Sequence, residues 1–281
     1  MRVNVAIQKT ENRARFWATV LLFVPAVIHL FPILYVISLS FKEKTEVFRY
    51  PPNLVPDHFG VANYATALQT APLGRFLLNS LLVSAAITFL QVFTAILAAY
   101  ALARMEFKGK KLVFGLILAT MMVPGEVTII PNYLTVAKLN WIDSYRALII
   151  PFAASGFGIF LLYQFMRSIP KELEEAAMLD GSSRFRFLFQ FVVPLSMPAI
   201  AAFSVYAFVN AWNQYLWPLI VTQTTDMQTV QIGISMFRSQ NESVSWGVIM
   251  AATLMLISPM IFVFIATQKQ FVKGMTMGGL K

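Results

Sequence analysis

Glu175-Ala176-Ala177-Met178-Leu179-Asp180-Gly181, with Pro194-Leu195 further on, lies in a charged stretch between two long apolar runs. Pro170 suits the first turn of a helix, because its missing N–H would have no intrahelical partner there. Glu172, Glu174 and Glu175 suit the positive end of that helix, and Gly181 can take the left-handed conformation that stops it. Leu173, Ala176 and Ala177 then share one face at i, i+3 and i+4, with two small side chains over which another backbone could pass closely. Ser182 or Ser183 can cap a second helix that carries Arg184 and Arg186 into the next apolar run. The expectation is a helix, a glycine turn and a second helix, forming a knob between the two runs.

Composition fixes the class. The chain has 281 residues, of which 58% are hydrophobic and only 12% charged, far from the roughly 25% charged residues of an ordinary soluble domain. This is the composition of an integral membrane protein, and apolar runs long enough to span as helices make the expected fold all-α. A net charge of +9 does not point to nucleic acid, since the basic residues form short clusters between apolar runs and not one stripe with interleaved aromatics. There is no cysteine, so neither a disulfide framework nor a thiol metal site exists.

In chain order, a basic segment 1–15 with Arg2, Lys9, Arg13 and Arg15 precedes a first span, Phe16 to Phe41, kinked by Pro25 and Pro32. It is too long for a signal-peptide core and no small-residue cleavage site closes it. Pro51, Pro52, Pro56 and Gly60 break the polar stretch that follows, with a short surface helix expected over Val61 to Leu68. A second span runs from Phe76 to Leu102, and a third from Leu112 to Leu134, interrupted by Pro124-Gly125 and Pro131. A fourth runs from Ala147 to Met166, and 167–186 carries the knob. No charge appears from Phe187 to Thr225, too long a run for one crossing of about 20 residues. A fifth span is therefore expected to end near Val209, with 210–218 bending back as a short re-entrant turn. A polar outer loop, Thr222 to Ser245, leads to a sixth span, Trp246 to Thr267, and a basic tail, 268–281, with Gly278-Gly279. Residues 16–267 thus form one transmembrane domain.

Six spans put both ends on one side. The N-terminal segment, the loops at Arg104 and Lys171, and the tail hold most of the 22 Lys and Arg residues, so both termini and the knob are expected in the cytoplasm. No phosphate-cradling Gly-x-x-x-x-Gly-Lys loop is present, and Gly109-Lys110-Lys111 does not approach it. His29 and His58 are far apart without a ligand cluster, so neither a metal nor a cofactor is expected. No Ser-His-Asp or paired-carboxylate pattern stands out, so the chain is not read as an enzyme.

Two intramembrane features are candidates for a transport path. An acidic side chain inside a span costs about 2.5 to 3.5 kcal/mol, so Glu126 should face water, a partner or a pore, or pair with backbone freed by the prolines. Asn210, Trp212, Asn213, Gln214, Tyr215 and Trp217 combine aromatic faces with amides, which suits carbohydrate or polyol, though Trp and Tyr also serve as interface anchors. An ion-coupled secondary transporter with Glu126 as relay is the alternative.

The Glu-Ala-Ala pattern with Asp180-Gly181 and Pro194-Leu195 resembles the coupling loop of permease subunits of ATP-binding-cassette (ABC) importers, and the placing of the apolar runs extends the likeness over nearly the whole chain. Trp212-Asn213 is similar to a pair carried by the maltose-permease-like carbohydrate group. The string 212–218 with Pro124-Gly125-Glu126-Val127 and Pro131-Asn132 looks most like the second permease of sn-glycerol-3-phosphate importers. The resemblance implies the type I ABC importer permease fold with six transmembrane helices, in a bacterial inner membrane. It implies a second homologous permease subunit as heterodimer partner, two ATPase subunits that hydrolyse the ATP, and an extracytoplasmic solute-binding protein. Leu173, Glu175, Ala176, Ala177, Met178, Leu179, Asp180 and Gly181 would then be the ATPase-coupling residues. Glu126, Asn132, Asn210, Trp212, Asn213, Gln214, Tyr215 and Trp217 would line half of a path for sn-glycerol 3-phosphate or a related sugar or polyol.

Overall fold

The computed structural model describes the backbone of residues 2–239 and 245–277. The side chains of the basic N-terminal segment and of the C-terminal tail, and Gly278-Gly279 with them, lie outside the described residues. Among those described, all regular structure is helical. The chain divides into two compact units, Met1–Ala71 with Phe237–Met255, and Pro72–Met236 with Leu256–Lys281.

In the first unit, α1 (Arg2–Phe41) starts well before the expected Phe16 and runs unbroken through Pro25 and Pro32. Its window Thr19–Phe41 is long and apolar enough to cross a membrane. After α2 (Lys44–Val47) and the proline-rich stretch comes α3 (Ala62–Thr70), close to the expected short helix. Asn63 ties α3 to the end of α1, donating to the Ser40 and Lys42 carbonyls at 2.9 and 2.8 Å. Those carbonyls belong to the last turn and exit of a helix, where no intrahelical donor remains.

The second unit is built on α4 (Leu73–Arg104), the expected second span with a few residues added at each end. Ala95, Ala99, Tyr100 and Leu102 of α4 share one core with Leu162, Met166, Ile200 and Phe203 from the two helices packed along it. Between helices in lipid there is little hydrophobic drive, so small residues that admit close approach carry the packing. The third span breaks once: α5 (Lys110–Met122) ends before Pro124, a 3-10 turn covers Gly125–Thr128, and α6 (Ile129–Lys138) leaves at 97°. Pro131 falls in the first turn of α6, where its missing donor costs nothing, so it adds no second break.

The fourth span is not the single helix expected. α7 (Tyr145–Ile149) passes through a 3-10 turn at Ile150–Phe152 and gives way to α8 (Gly156–Ser168), bent by 42°. Ser155 starts α8 by accepting from the Gly158 N–H at 3.2 Å. After α9 (Lys171–Leu179), α10 (Arg184–Phe187) continues through a π-turn and α11 (Val193–Leu195), then bends by 77° into α12 (Met197–Trp212). The fifth span therefore ends at Trp212, three residues beyond the expected Val209. Asn213 to Tyr215 separate it from α13 (Leu216–Val221), the second element that the long charge-free run requires. α14 (Val230–Ser239) lies within what the sequence presents as a polar loop, and α15 (Trp246–Met277) outlasts the expected Thr267. Among the described residues, counting each bent pair once, up to six elements are long and apolar enough to cross a membrane.

One end of α4 is stitched to the segment before α14. Asn79 donates to the Asp226 and Gln228 carbonyls at 2.7 and 2.8 Å, and accepts from Tyr145 at 2.7 Å. The Ser80 hydroxyl accepts from the Val230 N–H at 2.8 Å. Nearby, Asp143 accepts from the backbone N–H groups of Gln223 and Thr224 and from the Thr224 hydroxyl, at 2.9, 3.1 and 2.8 Å. Partial burial opposes ionisation of Asp143, but those three donors outweigh it and hold the carboxyl below the ordinary aspartate value.

A depressed folded pKa means that the unfolded chain binds the proton more readily. The contribution is thus fully present above the unfolded value and is lost as pH falls through the folded one. Asp143→Asn keeps a residue tolerant of the local φ of 58° and removes only the charge. It should lower stability by about 1 kcal/mol at neutral pH, discounted for exposure. Thermal unfolding of both proteins should converge as pH is lowered below about 4. A gap that persists or widens in acid rules out this role for the carboxylate.

Candidate functional site

The knob has the local geometry its sequence calls for. Gly181 has φ +76° and closes α9: its N–H reaches the Met178 carbonyl at 3.0 Å, and that of Ser182 reaches Ala177 at 2.9 Å. This pair of bonds is the Schellman end, which needs a left-handed residue that side chains with a Cβ resist. Of the two serines, it is Ser183 that caps α10, accepting from the Arg186 N–H at 3.3 Å.

The last turn of α4 holds both ends of the knob. Tyr100 donates its hydroxyl to the Arg184 carbonyl at 3.2 Å. Arg104, with 3% of its side chain exposed, pairs with Glu174 at 3.5 Å. Its second terminal guanidinium nitrogen donates to the Met166 and Ile169 carbonyls at 2.9 and 2.5 Å. A cation on the last carbonyls of α8 satisfies acceptors that have no helical donor and complements the helix dipole. In the sequence, Arg104 registers only as one basic residue after a span, and Tyr100 as one more apolar position. Nothing short-range marks either as a knob anchor.

The exposed rim of the knob is apolar. Leu179 is 89% exposed, and Leu173, Met178 and Phe185 are also open. Glu175, Ala176 and Asp180 are exposed as well. Ala177 requires a correction: it is 6% exposed and packs into the core with Tyr100, Met166 and Phe187. The i, i+4 relation that groups it with Leu173 turns it toward the spans once Glu174 is drawn in by Arg104.

The second site is a cleft of about 250 Å³ at the break between α5 and α6. Glu126, Thr128 and Asn132 meet Gln214, Tyr215 and Trp217 there, although the two groups are far apart in sequence. The 97° turn carries the first group out of the helix line, and the Asn213–Tyr215 interruption presents the second. Trp217 forms the floor, 4% exposed, with its indole N–H on the Ala147 carbonyl at 2.9 Å and its ring edge-on to Phe152. Tyr215 shares a 3.1 Å hydrogen bond with Ser235. Glu126 is exposed.

The remaining residues of the expected cluster lie elsewhere. Trp212 is 2% exposed and stacks on Phe208, so its aromatic face is spent on packing. Asn210 and Asn213 are exposed, but their amides donate to the Tyr206 and Val209 carbonyls one turn back, at 2.7 and 2.9 Å. Asn213 also accepts from Gln231 at 3.3 Å.

Comparison with known proteins gives one consistent answer. A family model described as "Binding-protein-dependent transport system inner membrane component" matches residues 91–277. The sn-glycerol-3-phosphate transport system permease protein UgpE of Yersinia enterocolitica is 36% identical over 279 residues, covering 94% of this chain and 98% of that one. The protein of the same name from Pectobacterium atrosepticum is 37% identical over 274 residues, with the same coverage. A chain from the crystal structure of a bacterial ABC transporter involved in the import of the acidic polysaccharide alginate superposes with a TM-score of 0.82. It is 25% identical, covering 91% of this chain and 95% of that chain. A chain from the bacterial alginate ABC transporter in complex with alginate pentasaccharide-bound periplasmic protein shares the fold, with a TM-score of 0.62 at 17% identity, over 92% of this chain and 94% of that one. With its broken spans, its helix–glycine–helix knob and these matches along most of its length, the chain belongs to the family of inner-membrane components of binding-protein-dependent transport systems, the permeases of ABC importers.

Proposed function

We propose that the chain forms half of the translocation path for sn-glycerol 3-phosphate or a related sugar or polyol, and couples that path to a separate ATPase through the knob. The observation that carries this reading is the knob itself: an apolar rim, Leu173, Met178 and Leu179 on α9 with Phe185 on α10, left open on a helix pair anchored to the ends of two spans. Each large side chain left exposed forgoes roughly 1.5 to 3 kcal/mol of burial, and a docked ATPase subunit supplies that burial. Glu175 beside Ala176 then meets a basic group at the groove edge. The positive-inside count supports a cytoplasmic position for the knob and both termini. A homologous second permease completes the path, two ATPase subunits drive it, and an extracytoplasmic binding protein delivers the solute. The likeness to permeases of a transport system, and to a transporter that forms a complex with a periplasmic protein, supports these partners.

In the cleft, Asn132, Gln214 and Tyr215 offer the paired donors and acceptors that hydroxyl groups need, over the aromatic floor of Trp217. Among the described residues, no Lys or Arg lines it. A phosphate-bearing solute therefore needs a cation from the second permease to offset Glu126.

Leu179→Glu should weaken ATPase co-purification by about ten- to a hundredfold, the equivalent of one lost apolar anchor. Glu175→Ala and Gly181→Val should also uncouple, with the membrane part still folded. Gln214→Ala should leave assembly intact and reduce solute-stimulated ATP hydrolysis. Wild-type assembly and uptake in Leu179→Glu would remove the basis for the coupling role, and unchanged stimulation in Gln214→Ala would remove the cleft from the path.

A further inference from the structure

A second, larger cleft of about 500 Å³ opens where the α4–α5 turn meets the end of α8. Neither the knob nor the candidate path uses it. Leu102, Phe107, Phe114 and Tyr163 give it an apolar wall, in which the Phe114 and Tyr163 rings lie 4.5 Å apart between centroids. Lys110, Lys111 and Arg167 supply positive charge at its edge, against a single carboxylate, Glu106.

The cations are not equally free. Lys110 pairs with Glu106 at 3.2 Å and donates to the Met105 carbonyl at 2.9 Å. It is held by its own turn, and it also neutralises the one acid. Among the described residues, Arg167 has only a long contact, 3.5 Å, to the Tyr163 hydroxyl. Lys111 is exposed and has no ion pair or side-chain hydrogen bond among the described residues. Two cations are thus left facing an open, partly aromatic cleft with no anion to meet them. Directly after Lys111 the exposed face of α5 turns apolar, with Leu112 68% and Leu116 59% exposed one turn apart.

We propose that this cleft binds the phosphate of an anionic phospholipid, with Lys111 and Arg167 on the headgroup and an acyl chain lying along Leu112 and Leu116. Cations at one end of an apolar helix face match the two-part chemistry of a lipid, and basic pockets between spans at the cytoplasmic surface suit anionic headgroups. A free phosphate would use the cations alone and leave the apolar track idle. An acidic segment of a partner subunit would likewise meet the cations and leave the apolar track unused. Assignment to the cytoplasmic leaflet rests on the orientation proposed above, because the cleft shares the last turn of α4 with the knob. The site itself does not depend on that orientation.

The test uses the intact complex that co-purifies with the chain, placed in nanodiscs of phosphatidylcholine with phosphatidylglycerol. Retained lipid is counted by native mass spectrometry after extraction. The wild type should hold phosphatidylglycerol over phosphatidylcholine, and Lys111→Gln with Arg167→Gln should lose about fivefold in affinity per charge, roughly twenty-five-fold together. Lys111→Arg, which keeps the charge, should retain the lipid, and both variants should melt with the wild type because the two side chains are exposed. Equal retention of the two lipids, or unchanged retention in the double variant, overturns the proposal. Displacement of the lipid by millimolar inorganic phosphate alone marks a free-anion site and overturns it too. So does Lys111 becoming shielded only when the ATPase is present, since the cleft is then a protein contact. Lys111→Cys in this cysteine-free chain can be labelled with an impermeant maleimide. Labelling from the outer side sinks the orientation, while the lipid count still decides the site.

Discussion

Arg104→Ala is expected to cut uptake by at least about tenfold and to loosen ATPase attachment, although Arg104 lies too deep to touch the ATPase. Its guanidinium joins three segments: the end of α4, the last carbonyls of α8 and Glu174 in the knob. Removing it leaves a partly buried carboxylate and two carbonyls without their charged donor. Losing one partner of a buried pair costs about 3 to 5 kcal/mol, and the partial exposure of Glu174 puts this case at the lower end. That is more than the helix–turn–helix can absorb while holding one orientation. Arg104→Lys should not rescue, because a single ammonium cannot span a carboxylate and two carbonyls as a planar fork can. Glu174→Gln should be milder, since it keeps a hydrogen-bonding group and leaves no carboxylate unpaired. The measurements are uptake, ATPase co-purification, thermal unfolding and the labelling rate of Leu173→Cys. If Arg104→Ala keeps wild-type uptake and wild-type labelling, the anchor is not what aims the knob.

Gly158→Ala should damage the membrane core itself. A Cβ at Gly158 would lie 2.1 Å from the tip of the Phe203 ring, with two more ring atoms at 2.5 and 2.7 Å. Phe203 is fully buried and packed beside Phe157 and Tyr206, so the ring cannot simply swing away. Either it adopts a poor rotamer or α8 and α12 separate, and overpacking of this kind costs about 1 to 3 kcal/mol. The variant should accumulate poorly and melt earlier than the wild type. Combining Gly158→Ala with Phe203→Leu should recover part of the loss, giving a favourable coupling energy between two residues in contact. Simple additivity of the two would show that this contact does not set the spacing of the helices.

What the sequence discloses here is what short-range chemistry controls. The knob is readable because Gly181 and Ser183 act within a few residues, and the break in the third span is readable because Pro124 removes a donor in place. The bend between α7 and α8 carries a local mark too, Pro151 in its 3-10 turn, but its angle is held from outside, by Gln91 and Thr94 of α4 donating to the Phe152 and Ala153 carbonyls. α14 escapes notice for a different reason: it sits in a polar stretch, yet Val230, Ile232 and Phe237 are buried. Membership of the path cluster is legible only in part. Glu126 and Asn132 do meet Gln214 and Tyr215, but nothing local tells that Trp212 faces inward or that Asn210 and Asn213 spend their amide donors on their own helix. Arg104 is the clearest omission, because its role depends on three partners from outside its own helix.

The attachments of α4 at its two ends have a mechanical meaning. Near its start, Asn79 and Ser80 grip the segment before α14, and at its finish Tyr100 and Arg104 grip the knob. At 1.5 Å per residue the helix between these grips spans roughly 38 Å, longer than the hydrocarbon core of about 30 Å. A hydrogen-bonded helix of that length, with no proline from Leu73 to Arg104, resists compression and transmits axial push with little loss. If the knob couples as proposed, a thrust on it would be carried to the segment before α14 along one proline-free helix, and α4 would serve as the push-rod of the permease.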